Sequence, residues 1–131
     1  MSSIESPNGQ PIRRVLCIDD DPGIIRTIRR VLSLVSIEVV GASTGEAALD
    51  LVADPRERFD LVLVDLNMPG LGGFEVLGRM LGIRQDLPVV VMSGAAGDWP
   101  TVARELGAVA TLCKPFSAES LMAIVAGKGG W

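Results

Sequence analysis

Asp60-Leu61-Val62-Leu63-Val64-Asp65-Leu66-Asn67-Met68-Pro69-Gly70 is the stretch whose reading decides the fold. Leu61 to Val64 are apolar without a break and stop at the carboxylate of Asp65. Asn67, Met68, Pro69 and Gly70 do not readily continue a strand. A short apolar run bounded by turn signals is the pattern of a strand buried on both faces. Open α/β sheets place their chemistry at the carboxyl ends of such strands. Asp65 is therefore the candidate reactive residue.

The same punctuation recurs on both sides of it. Upstream, Val15-Leu16-Cys17-Ile18 runs into Asp19-Asp20-Asp21-Pro22-Gly23, a buried strand followed by a loop. Ile24, Ile28, Val31, Leu32 and Val35 then recur at helical spacing, with Arg26, Arg29, Arg30 and Ser33 opposite. The arginines read as a solvated helix face. Glu38 to Gly41 is a second strand. Ser43-Thr44-Gly45-Glu46 fits a capping box opening a helix through Ala53, which Asp54-Pro55 helps to end.

Downstream, Phe74 to Leu81 reads as a helix weakened by Gly78. Leu87 to Met92 is a fourth strand ending at Ser93-Gly94. Trp99, Val102, Ala103 and Leu106 lie on one face of a helix that Pro100 helps to start and Gly107 stops. The spacing of Trp99 favours packing over a partner contact. Val109 to Cys113 is a fifth strand, followed by Lys114-Pro115-Phe116, and Ser117 caps a last helix with Leu121, Ile124 and Val125.

This alternation predicts an α/β fold, a flavodoxin-like doubly wound (βα)5 three-layer sandwich. Its parallel sheet has the order 2-1-3-4-5. Residues 1–11 read as a flexible lead-in, 12–126 as the single domain and 127–131 as a flexible tail.

Composition narrows the function. The 131 residues suit one domain, and 48% hydrophobic residues suffice for a core. No apolar run approaches the roughly 18 residues of a membrane span. Met1 to Gln10 is polar, unlike a secretory signal, so a cytoplasmic location is expected. A net charge of −4 with no basic run argues against direct binding of nucleic acid. Cys17 and Cys113, each within an apolar run, read as small buried hydrophobes. With no histidine in the chain, histidine acid–base chemistry and a phosphohistidine carrier role are excluded.

In the 2-1-3-4-5 order the carboxyl ends of strands 1, 3, 4 and 5 are neighbours. Asp19, Asp20, Asp65, Ser93 and Lys114 should then share one crevice. Three close carboxylates repel and raise at least one pKa unless a cation intervenes. Mg²⁺, with about six oxygen ligands, suits two carboxylates, a backbone carbonyl and waters. An aspartate is a recognised phosphoryl nucleophile, and phosphoryl transfer runs mainly on positioning and charge stabilisation. Each signal alone is weak, since an aspartate after a strand is commonly a cap or turn former, as Asp21 reads here. The set is specific.

Val15 to Pro22, Leu63 to Gly70, Val91 to Gly94 and Lys114 to Phe116 together resemble the receiver domain of two-component response regulators over roughly residues 12 to 126. The resemblance implies that Asp65 accepts a phosphoryl group from the phosphohistidine of a sensor histidine kinase or a histidine phosphotransfer protein. It implies Mg²⁺ held by Asp20, Asp65 and the backbone carbonyl of Asn67, with Asp19 acting through water. Ser93 and Lys114 would contact the phosphoryl group, and Lys114-Pro115 would be cis. An output domain or protein would read the face of helix 4, strand 5 and helix 5, and the same face admits a homodimer. Such a module is not an enzyme acting on a separate substrate; it catalyses only its own phosphorylation and dephosphorylation.

Two departures stand out. The family's usual aromatic residue three positions before the lysine is Thr111 here, and the chain has no tyrosine. Ala95, two after Ser93, is small and, with Asn67, points to easy access of water and fairly rapid dephosphorylation. Two rival readings remain. One is a pseudo-receiver that binds partners without phosphorylation, and the other a small aspartate-nucleophile phosphatase, for which Asn67 is the wrong acid–base residue.

Overall fold

Leu61 to Asp65 form the central strand of a five-stranded parallel sheet in a computed structural model that describes residues 4–6 and 9–127. The elements in order are β1 (Arg14–Ile18), α1 (Pro22–Ser33), β2 (Glu38–Ala42), α2 (Gly45–Ala53) and β3 (Leu61–Asp65). They continue with α3 (Gly73–Ile83), β4 (Val89–Ser93), α4 (Trp99–Glu105), β5 (Ala110–Cys113) and α5 (Ala118–Val125). The sheet order is β2-β1-β3-β4-β5, as the alternation predicts.

Right-handed crossovers decide which helix covers which face. The chain moves one way from β1 to β2 and the other way from β2 through β5. Accordingly α1 and α5 cover one face, and α2, α3 and α4 the other. Strand residues alternate between two cores. Leu16, Ile18, Val62, Val64, Val89 and Val91 join Ala48, Val52, Val76, Leu77, Met80, Trp99 and Ala103. Val15, Cys17, Leu61, Leu63, Val90 and Met92 join Ile28, Leu32, Leu121 and Val125. All five residues of β3 are buried, which is why its sequence shows no polar alternation.

Local chemistry sets the ends. Asp21 caps α1, its Oδ1 accepting from the Gly23 amide at 2.8 Å. Ser117 caps α5, its Oγ accepting from the Ser120 amide. Pro100 lies in the first turn of α4. Gly107 follows that helix with φ +110°, a left-handed conformation suited to glycine.

Three expectations need correction. The cap of α2 is Thr44, whose Oγ1 accepts from Ala47 N at 3.1 Å; Ser43 is exposed and sits one residue too early for the capping box. Leu106 is the C-cap of α4 and 47% exposed, so it leaves the face that Trp99 and Ala103 bury. Cys17 is buried as expected, but Cys113 is exposed, because β5 is an edge strand and Cys113 is its last residue. Arg26, Arg29 and Arg30 are all exposed, as a solvated helix face predicts, and Arg29 also donates to the Val39 carbonyl at 3.3 Å.

Ahead of β1, Ile12 N donates to Ile4 O at 2.8 Å, Ser6 N to Gln10 O at 2.7 Å, and Glu5 pairs with Pro11. The described part of the segment read as a lead-in is therefore hydrogen-bonded back on itself, and Ile4 packs beside the α1–α5 core. Residues 1–3, 7–8 and 128–131, within the expected lead-in and tail, lie outside the described residues.

Candidate functional site

Every strand of a parallel sheet ends at the same edge, so residues far apart in sequence meet there. Asp65 is the last residue of β3 and Ser93 the last of β4. Asp19 and Asp20 follow β1, and Lys114 follows β5. Pairing fixes their levels: Asp65 lies beside Met92, and Ser93 beside Cys113. The Leu66 amide donates to Met92 O and the Lys114 amide to Ser93 O, both at 2.8 Å, which carries the ladder past the strand ends.

Carboxylate oxygens of Asp19, Asp20 and Asp65 lie within 4.8 Å of one another. Asp19 and Asp65 are buried, and Asp20 is exposed. The Lys114 ammonium reaches in from β5, with Nζ 2.6 Å from Asp19 Oδ2 and 3.2 Å from Asp65 Oδ1. Asp19 Oδ1 also accepts from the Asp21 amide at 3.0 Å. One ammonium thus contacts two of the three clustered carboxylates. Burial and the neighbouring charge of Asp19 raise the pKa of Asp65, and Lys114 and the Asn67 amide only partly counter them. Burial pulls the Lys114 ammonium down, but its hydrogen bond to Asp19 and the charges of Asp19 and Asp65 outweigh that, and its pKa is raised. On the far face of β1, burial pushes the Cys17 thiol up to about 12.

The Ser93 hydroxyl is fully buried. Its Oγ accepts from Asn67 Nδ2 at 3.3 Å and from the Ala95 amide at 3.0 Å. Trp99 is buried at the start of α4, so the packing reading holds, and its Nε1 donates to the Ala95 carbonyl at 3.0 Å. The Lys114-Pro115 bond is cis.

All five residues singled out from sequence, Asp19, Asp20, Asp65, Ser93 and Lys114, meet at this edge. Two contributors were missed. One is the Trp99–Ala95 hydrogen bond, which no sequence pattern announces. The other is Gly73, where an added Cβ would stand 2.5 Å from the Asp65 carbonyl oxygen. The glycine pair Gly72-Gly73 just before an apolar helical pattern was the available signal for that close approach.

The family model described as "Response regulator receiver domain" matches residues 15–126. This chain belongs to the response regulator receiver domain family. Its members serve phosphorylation-based two-component signalling and are not classical enzymes. Among curated relatives, the two-component response regulator ORR24 of Oryza sativa subsp. indica is 35% identical over 113 residues, covering 85% of this chain and 18% of that protein. The response regulator protein FleR of Pseudomonas aeruginosa is 38% identical over 114 residues, covering 86% of this chain and 24% of FleR. The chain thus spans about a fifth of the length of these relatives. A receiver domain from Clostridium thermocellum superposes with a TM-score of 0.80 at 28% identity, covering 87% of this chain and 91% of that one. A Burkholderia pseudomallei response regulator, solved with a phosphorylated aspartic acid, a calcium ion and citrate, gives 0.78 at 27% identity, covering 86% and 66%. Among the described residues of this receiver domain, no helix is long and apolar enough to cross a membrane.

Proposed function

We propose that Asp65 is the phosphoacceptor of this receiver domain. One observation carries the reading. The Lys114 ammonium lies within reach of both Asp19 and Asp65, while the oxygens of Asp19, Asp20 and Asp65 crowd within 4.8 Å. Three carboxylates against one ammonium carry more negative charge than Lys114 offsets, a donor set that fits a hard divalent cation. Asp20, Asp65 and the backbone carbonyl of Asn67 would hold Mg²⁺, with Asp19 acting through water. When bound, the ion supplies positive charge to the phosphoryl oxygens and to the attacking carboxylate.

The donor is the phosphohistidine of a sensor histidine kinase or of a histidine phosphotransfer protein. An Asp65 carboxylate oxygen forms the bond to phosphorus. The phosphorus–nitrogen bond of the donor breaks, and the imidazole leaves with the electron pair and takes up a proton. Lys114 pairs with the phosphoryl oxygens. The Ser93 hydroxyl, already accepting two hydrogen bonds, has its hydrogen to donate. The new dianion then biases the loop after β4 and the face of α4, β5 and α5 between two arrangements, which an output domain or partner reads. The curated relatives, of which this chain spans about a fifth, support such an output elsewhere in a longer protein.

Thr111, half-buried in β5, favours one second reading, a pseudo-receiver that keeps the fold without the phosphorylation. Intact mass after incubation with Mg²⁺ and acetyl phosphate separates the two. The expected result is one phosphoryl group on the wild type, none on Asp65→Asn, and none on the wild type in EDTA. An adduct that survives Asp65→Asn would refute the assignment. No adduct, together with no beryllofluoride complex, would select the pseudo-receiver.

A further inference from the structure

The switch has no ring where the family usually carries one. Position 111 is threonine, and the chain contains no tyrosine. Some other group must connect an event at Asp65 to the surface around α4. Trp99 is buried among the α2–α4 side of the core, yet its polar atom is turned to the loop that leaves the site.

A continuous hydrogen-bonded path runs between the two. Asn67, two residues after Asp65, donates through Nδ2 to Ser93 Oγ at 3.3 Å. The Ala95 amide donates to the same oxygen at 3.0 Å. The Ala95 carbonyl accepts from the indole Nε1 of Trp99 at 3.0 Å. Ala95 is thus held through both of its backbone groups, by the serine on one side and the indole on the other. Residues 94 to 98 are exposed, whereas Ser93 and Trp99 at the two ends are buried.

We propose that Trp99 is a positioning residue for the phosphorylation response, latching the β4–α4 loop in the unmodified state through its indole N–H to Ala95. The proposal rests on the phosphoacceptor reading of Asp65. A serine hydroxyl has one hydrogen and two lone pairs, and here both lone pairs face donors. A phosphoryl group on Asp65 presents strong acceptors. A Ser93 hydroxyl that turns to donate to them gives up its geometry toward the Ala95 amide. Ala95 is then released on its serine side, and its carbonyl moves relative to the indole. The indole–carbonyl bond is then lost, and the N–H passes to solvent beside the exposed loop. The first turn of α4 moves with it.

The test separates failure of this inference from failure of the site. Complex formation with Mg²⁺ and beryllofluoride is followed by fluorine NMR, which does not depend on tryptophan. The Trp99 indole N–H is followed in the ¹⁵N-labelled wild type, with Trp131→Phe used to assign the two indole signals. The expected result is a bound complex, with the Trp99 indole resonance displaced and its exchange with solvent changed at saturation. Trp99→Phe keeps a ring in the core and removes the N–H. Its beryllofluoride midpoint should fall roughly two- to tenfold, the range of one net neutral hydrogen bond released from the unbound state. A complex that forms with the indole resonance unmoved, or with the midpoint of Trp99→Phe unchanged, overturns the latch and leaves the phosphoacceptor standing. No complex with the wild type overturns both. The indole measurement needs no variant, so a poorly folded Trp99→Phe does not shield the proposal.

Discussion

Alanine at Gly73 and alanine at Gly78 should move stability in opposite directions, although both glycines lie in α3. A Cβ at Gly73 would stand 2.5 Å from the Asp65 carbonyl oxygen and 2.7 Å from Leu66 Cα. Both obstacles are backbone, and neither can rotate away. At Gly78 nothing lies within 4 Å. Alanine gains up to about 1 kcal/mol over glycine inside a helix, less at the first position where Gly73 sits. Forcing a methyl into a filled space costs about 1–3 kcal/mol. Gly78→Ala should therefore stabilise by about 0.5–1 kcal/mol, and Gly73→Ala should destabilise by about 1–2 kcal/mol. The assay is urea unfolding followed by circular dichroism, with a shared m-value confirming that only stability has changed. In heat the pair should straddle the wild type, at roughly 4 °C per kcal/mol for a domain of this size. If the two variants agreed within about 0.5 kcal/mol, the close seat of α3 against the end of β3 would be refuted.

Removing the hydroxyl at Thr44 should cost about 1 kcal/mol of unfolding free energy, because it deprives the Ala47 amide of its cap. Ser43→Ala should change stability by less than about 0.5 kcal/mol, and equal losses from the two would contradict the cap assignment. With two cysteines in the chain, Cys113 exposed and Cys17 buried, an aromatic disulfide reagent should titrate one thiol in the folded protein and the second only on unfolding. Cys113→Ser should abolish the fast reaction, and a fast phase that survives it would place Cys17 at the surface.

What could be read from the sequence divides along a physical line. β1, β3 and β4 were legible because strands covered on both faces are apolar without interruption, and each is stopped by a polar residue at the same edge of the sheet. That one fact delivered both the fold and most of the site: Asp19, Asp65 and Ser93 end or follow those three strands, and Lys114 follows β5 at the same edge. Details set by contacts between elements were not legible. Ser43 and Thr44 are both competent caps, and the choice turns on where Gly45 sits. A Cβ there would stand 2.6 Å from Val76 Cγ2 and 3.2 Å from the Leu71 carbonyl, so α3 fixes the start of α2. Leu106 fits the helical period of Trp99 and Ala103, but α4 ends at Glu105 and the period no longer applies. The Trp99–Ala95 hydrogen bond joins a side chain to a carbonyl four residues earlier across a non-helical loop, a geometry without a sequence period. The position of the candidate site is thus written by strand ends, which are local and periodic. Contacts such as the Trp99–Ala95 hydrogen bond are written by how neighbouring elements meet, and that second layer has no period along the chain.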